Sequence, residues 1–190
     1  MEKPYSSRAK GIGVYALCRV AVMAALYLPL ARMAVEIGTL KLSLGSLPVT
    51  VLALAAGPGE AAAAAAVGEF LKQLLSYGFT ATTVLWLIPP ALRGAVIGFA
   101  ALRARRNGWY LEERPAAYFG VSVAAALLTT LANTPVLWLD SVLYGYYFPG
   151  YILGALSARL VVGVVTAVLI GLVAIPMLKL LRRQRLLERR

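Results

Sequence analysis

The sequence predicts an all-α integral membrane protein: a bundle of six transmembrane helices, some short or kinked, with both termini cytoplasmic. Three observations carry this. Apolar residues make up 61% of the 190 and mean hydropathy is +0.77, against about 45–50% apolar in a soluble domain. The apolar residues form long runs broken by short polar connections. The basic residues, which set a formal net charge of +11, gather at the ends of those runs. Lys3, Arg8 and Lys10, then Arg103, Arg105, Arg106 and Arg114, then Lys179, Arg182, Arg183, Arg185, Arg189 and Arg190 account for 13 of 19. A nucleic-acid-binding chain would spread such charge over an exposed face. Here it marks one side of a bilayer, and the excess of Lys and Arg assigns that side to the cytoplasm.

Residues 15–35 form the first apolar run, long enough as a helix to cross a hydrocarbon core of about 30 Å. Its length, with Arg19 and Arg32 inside it, argues against a cleaved signal peptide. Ala21 and Ala25 make a small-x-x-x-small pair of the kind that lets two membrane helices approach closely, although alanine is abundant throughout. A polar connection at 36–41 leads to residues 42–56, too short for a full span and so broken, tilted or partly extended. Gly57-Pro58-Gly59 is a turn. Residues 60–75 form an alanine-dense helix whose block 61–66 predicts tight packing. Glu69 and Lys72 on it lie three apart on one face, as a neutralising pair or as ligand contacts.

A loop containing Tyr77 precedes the apolar segment 83–102, which Pro89-Pro90 must kink or restart, because two adjacent prolines remove two backbone donors. Arg93 follows within a turn, at a depth where a charge costs about 2.5–3.5 kcal/mol on insertion scales and faces the bundle interior. Residues 116–139 and 151–178 are further spans, joined by an aromatic connection. The whole is one domain over 1–190, membrane-embedded from about 12 to 181, with a basic cytoplasmic tail at 182–190.

What is missing narrows the chemistry. The chain has no histidine and one cysteine, Cys18, so histidine-based acid–base or nucleophilic machinery, an internal disulfide and cysteine-rich metal sites are excluded. No phosphate-binding G-x-x-x-x-G-K-[ST] loop is present. No catalytic residue, metal ligand or cofactor is assigned, and the chain is not read as an enzyme.

The stretch 133–159 organises the rest. It carries Asn133, Trp138, Asp140, Tyr144, Tyr146, Tyr147 and Arg159, an interfacial aromatic belt or a cap over a pocket. With the six spans threaded, Arg32, Lys41, Lys72, Arg93 and Arg159 fall in or just above the outer half, against Glu36, Glu69 and Asp140. Two readings stay open. In one, Arg159 pairs with Glu69 or Asp140 while Arg32 and Lys41 snorkel to the surface. In the other, the cations and Tyr77, Trp86, Tyr144, Tyr146 and Tyr147 line a site for a small anionic solute with a flat ring.

Six short apolar segments in 190 residues, the Ala21/Ala25 pair, the L-P-V-T-V-L-A-L-A-A-G-P-G-E stretch at 47–60 and L-A-N-T…W-L-D-S-V-L-Y-G-Y-Y at 131–147 resemble the substrate-binding S component of energy-coupling-factor (ECF) vitamin importers. The resemblance runs from about residue 15 to 181. It implies a multi-pass protein of the plasma membrane that captures a vitamin from outside and hydrolyses no ATP itself. It implies docking through Ala21 and Ala25 on a transmembrane T component, which sits on two cytoplasmic ATPase subunits. The segment 40–48 and Asn133-Thr134 look most like the folate-type branch. The tryptophan stands farther from the Asn-Thr pair than in that pattern, and Lys72 after Glu69 is uncommon, so pantothenate or another acidic vitamin stays open. The substrate-binding candidates are Lys41, Lys72, Tyr77, Trp86, Arg93, Asn133, Trp138, Asp140, Tyr144, Tyr146, Tyr147 and Arg159. A reading of another class, a membrane scaffold or morphogenesis subunit without a small-molecule ligand, would satisfy the buried arginines with partner carboxylates.

Overall fold

The computed structural model describes residues 13–37, 40–154 and 156–183, with the side chains of 34–42, 151 and 153 outside that description. The order is α1 (Val14–Arg32), β1 (Ala34–Ile37), β2 (Leu40–Ser43), α2 (Ser46–Ala55), α3 (Pro58–Tyr77), α4 (Ile88–Arg106), α5 (Pro115–Leu143) and α6 (Leu156–Arg183). The protein is thus an all-α membrane bundle. Among the described residues, four segments are long and apolar enough to span a bilayer: Val14–Arg32, Leu85–Arg106, Pro115–Leu143 and Leu156–Arg183. The basic N-terminus and the tail beyond Arg183 lie outside the described residues.

The short second segment is resolved by a change of backbone. Antiparallel pairing of β1 with β2, Val35 opposite Leu42 and Glu36 opposite Lys41, turns the connection after α1 into a hairpin whose second strand reaches α6. The ten-residue α2 follows, about 15 Å of helix. From Pro48 to Leu54 every residue of it is buried. Thus 42–56 is part strand and part helix, and it runs down the inside of the bundle.

Pro89 and Pro90 restart a helix, as their sequence predicts. A 3₁₀ turn at Leu85–Leu87 gives way to α4 with the prolines in its first turn, where a missing N–H is tolerated. Below them α4 lies directly on α3. A Cβ on Gly94 would stand 3.0 Å from the Ala61 backbone, and one on Gly98 would stand 2.5 Å from Pro58 N and Cα. The alanine-dense stretch of α3 is half of this close contact. The other half is a G-x-x-x-G pair, 94 and 98, that reading the alanines alone does not reveal.

The hydrophobic core fills the half of the bundle that carries Arg105 and Arg182: Val51, Leu54, Ala61, Ile97, Ala101, Leu111, Tyr118, Ala174 and Leu178 pack together. Polar ties close its lower edge. Arg19 of α1 grips Glu60 of α3 through Nε at 2.8 Å and Nη2 at 2.5 Å. Arg105 of α4 donates to the Leu54 carbonyl at the end of α2. Arg182 of α6 meets Glu112 of the α4–α5 connection at 2.5 Å and lies 3.6 Å from the Tyr110 ring centroid. Glu112 is 1% exposed, so removing its partner strands a buried charge. Arg182→Ala is expected to cost about 2–3 kcal/mol, below the range for fully buried pairs because Arg182 is partly solvated. Detergent unfolding should then fall by about 4–12 °C, and an unchanged midpoint would show that the pair contributes nothing.

Candidate functional site

The half of the bundle away from this core is hollow. A cavity of about 890 Å³ is walled by the upper ends of α1, α3 and α5, the starts of α2, α4 and α6, and Ser43 of β2. That volume is within the range of small-molecule sites. Each wall follows from helical phase. On α5 the lining positions are Thr129, Thr130, Asn133, Leu137 and Asp140, with Tyr144 just past its end, one stripe along a single helical face.

Nine of the twelve residues proposed from sequence to contact substrate line this cavity: Lys72, Tyr77, Trp86, Arg93, Asn133, Asp140, Tyr144, Tyr146 and Arg159. Trp138 and Tyr147 do not, and both are about half exposed. Trp138 is two residues from Asp140, hence about 200° around the helix, and Tyr147 lies past the end of α5. Lys41 is in β2, with its side chain outside the described residues. The cavity also includes residues that the sequence reading did not single out: Tyr27, Ser43, Gln73, Thr80, Thr129, Thr130 and Thr166. Projecting α5 from Asn133 and Asp140 would have found its two threonines.

The charges are not equivalent. Glu69 is saturated: Lys72 Nζ reaches its two oxygens at 2.9 and 3.1 Å, Gln73 Nε2 donates to Oε1 at 2.9 Å, and Tyr27 Oη donates to Oε2 at 2.6 Å. The neutralising-pair reading of Glu69 and Lys72 describes their geometry, with two further donors added. Near the mouth, Asp140 accepts from Thr82 and Tyr146 and, at 3.4 Å, from Trp86 Nε1, while Tyr144 Oη accepts from the Ala81 amide at 3.2 Å. The connections either side of the opening are therefore braced to each other through one carboxylate. Arg159 Nη2 donates to the Ile152 carbonyl.

Arg93 differs from all of these. It is 8% exposed and faces the cavity, and its Nε and Nη2 have no hydrogen-bond partner among the described residues.

Deeper still, the hydroxyls of Thr129 and Thr130 donate to the carbonyls of Ala125 and Ala126 at 2.6 and 3.0 Å. A hydroxyl has one hydrogen. With it committed, these two offer the cavity lone pairs only.

A model of the ECF-type riboflavin transporter S component family matches residues 12–183. The chain belongs to that family. It is accordingly a membrane substrate-binding subunit of an ECF vitamin transporter, multi-pass in the plasma membrane, and the S-component family is one of transporter subunits. No curated protein matches the chain. The cavity lies at the end of the bundle away from Arg105 and Arg182, beyond a closed core. Ala21 and Ala25 of this S component are exposed on α1, whereas Ala24 and Tyr27 of the same helix are buried.

Proposed function

We propose that this S component captures a flavin, taken from outside the cell into the cavity above the core, and delivers it by docking through α1 on a T component carrying two ATPase subunits. One observation favours a flavin over the folate that the local motifs suggest. The threonines of the inner wall present acceptors without donors, which suits a chain of hydroxyl groups. Riboflavin carries such a chain on its ring, and folate does not. The aromatic mouth, with Trp86, Tyr77, Tyr144 and Tyr146, suits the flat ring of either. The family match supports the same choice.

Folate keeps one observation in its favour, the excess of positive charge. Lys72, Arg93 and Arg159 stand in the lining against Glu69 and Asp140.

The test is native mass spectrometry of protein purified in mild detergent, with extraction of what it holds, followed by thermal shift against riboflavin and folate. A stoichiometric flavin is expected. Thr130→Val should then weaken riboflavin about tenfold, the loss of one or two hydrogen bonds, and leave any folate shift unaltered. Folate bound without flavin would reverse the assignment, and an empty protein unresponsive to both would favour a scaffold role.

A further inference from the structure

A second recess lies at the other end of the bundle from the vitamin cavity and shares no residue with it. Its volume is about 190 Å³, and it is lined by Arg105 in the last turn of α4 and by Gly108, Trp109 and Tyr110 of the connection that follows. The chain leaves the helix there through Gly108, whose φ of +79° is a conformation that glycine adopts without strain. The turn sets two aromatic side chains beside the arginine.

Arg105 is short of partners. A guanidinium has five N–H donors, and among the described residues the hydrogen bond of Arg105 is the one that Nη2 donates to the Leu54 carbonyl. Its charge is not balanced either. Among the described residues the ion pairs are Arg19 with Glu60, Lys72 with Glu69 and Arg182 with Glu112. Of the charges that act on Arg105, Arg182 repels it and Glu112 attracts it, but the Glu112 carboxylate is already bonded to Arg182 at 2.5 Å. Glu113 turns back to accept from the Tyr110 amide at 3.3 Å. Each aromatic wall carries a further cation: Arg114 lies 4.5 Å from the Trp109 ring centroid and Arg182 lies 3.6 Å from that of Tyr110. The recess therefore holds a half-buried cation with no counterion among the described residues, among other cations, and it calls for an anion.

The level of the recess says which anion. Leu85–Arg106 is apolar enough to span a bilayer, so Arg105 and the residues just past it stand where hydrocarbon gives way to headgroups. Trp and Tyr are the side chains that favour this level. The anion present there at high density is the phosphate of a lipid headgroup, and basic recesses between membrane helices hold anionic headgroups.

We infer that this recess binds the headgroup phosphate of one anionic phospholipid, gripped by Arg105. Guanidinium and phosphate pair through two parallel hydrogen bonds. A lipid held this way fixes the depth of the end of α4, whether or not the vitamin cavity is filled.

The experiment is native mass spectrometry of the full-length S component in mild detergent, offered equal amounts of phosphatidylglycerol and of phosphatidylcholine, whose own cation cancels its phosphate charge. Inorganic phosphate is titrated separately. One phosphatidylglycerol per protein is expected, preferred at least about tenfold, the worth of a charged hydrogen bond. Arg105→Gln should bring the two lipids within about threefold, and Arg105→Lys should keep part of the preference, since an ammonium retains the charge without the fork. Arg103→Gln changes an exposed arginine of the same helix that does not line the recess, and it should alter the preference less than about twofold, as a site without shared partners should. Should Arg105→Gln not fold, the comparison of Arg105→Lys with Arg103→Gln still decides. No preference between the lipids overturns the inference. So does an equal loss in the Arg103 and Arg105 variants, which shows only diffuse attraction to a basic surface. Inorganic phosphate bound as tightly as the lipid overturns the lipid as the source of the anion.

Discussion

Gly98→Val is expected to lower the unfolding midpoint in mild detergent by about 6–12 °C, the counterpart of about 3 kcal/mol in a domain of this size. A Cβ there meets Pro58 N and Cα at 2.5 Å and Gly57 C at 2.8 Å. These are main-chain atoms at the turn into α3, which cannot rotate away as the end of a side chain could. The helix must move, and with it the tightly packed α3–α4 contact that holds Glu69 and Lys72 opposite Arg93. Gly120→Ala supplies the control. Nothing lies within 4 Å of a Cβ at that position, and relieving a glycine in a helix interior gains about 0.5–1 kcal/mol. That variant should melt at or slightly above wild type. If both proteins melt together, close approach at 98 is not what holds α3 to α4.

The second expected result separates capture from delivery. Ala21→Leu combined with Ala25→Leu should abolish vitamin uptake in cells carrying the complete transporter, while the purified variant binds its ligand within about twofold of wild type. Both alanines are exposed on α1 and neither lines the cavity, so residues far from the ligand and without shared partners should leave its affinity nearly untouched. Small residues on a membrane helix permit a partner helix to approach closely, and two leucines remove that approach. Uptake at the wild-type rate would move the docking face elsewhere. Lost ligand binding would show instead that α1 cannot tolerate bulk.

Much of this was legible in the sequence because bilayer spans and prolines are strong local signals. Pro89-Pro90 announced a restart, and the helix begins there. The basic connections predict one charged end of the bundle, and the polar ties among Arg19, Glu60, Arg105, Glu112 and Arg182 fall together at one end. Four things were not legible, for different reasons. The hairpin depends on pairing of residues 34–37 with 40–43, in a segment whose composition reads only as a connection. The G-x-x-x-G pair was in plain view at 94 and 98, but its importance comes from what faces it, Ala61 and Pro58, which no local window contains. The chemistry of Trp138 suits a site, while its phase relative to Asp140 puts it on the far side of α5. The charge clusters were the least legible. Glu69 and Lys72 read equally as a pair or as ligand contacts until Tyr27 and Gln73, one of them 42 positions away, completed the carboxylate's shell.

Tyr27 has a further consequence. It sits on α1 about 200° around from Ala25, and its hydroxyl donates to Glu69 in the cavity wall. One helix therefore presents its back to the cavity and its front to the outside of the bundle. If occupancy of the cavity changes how α1 is held, it changes affinity for whatever binds the exposed face, and thermodynamic linkage requires the partner to change affinity for the vitamin by the same factor. A transporter built on such a helix need not sense its cargo with a separate part. Loaded and empty subunits would compete for the same docking place on unequal terms, and the inequality would equal the amount by which docking loosens or tightens the grip on the cargo.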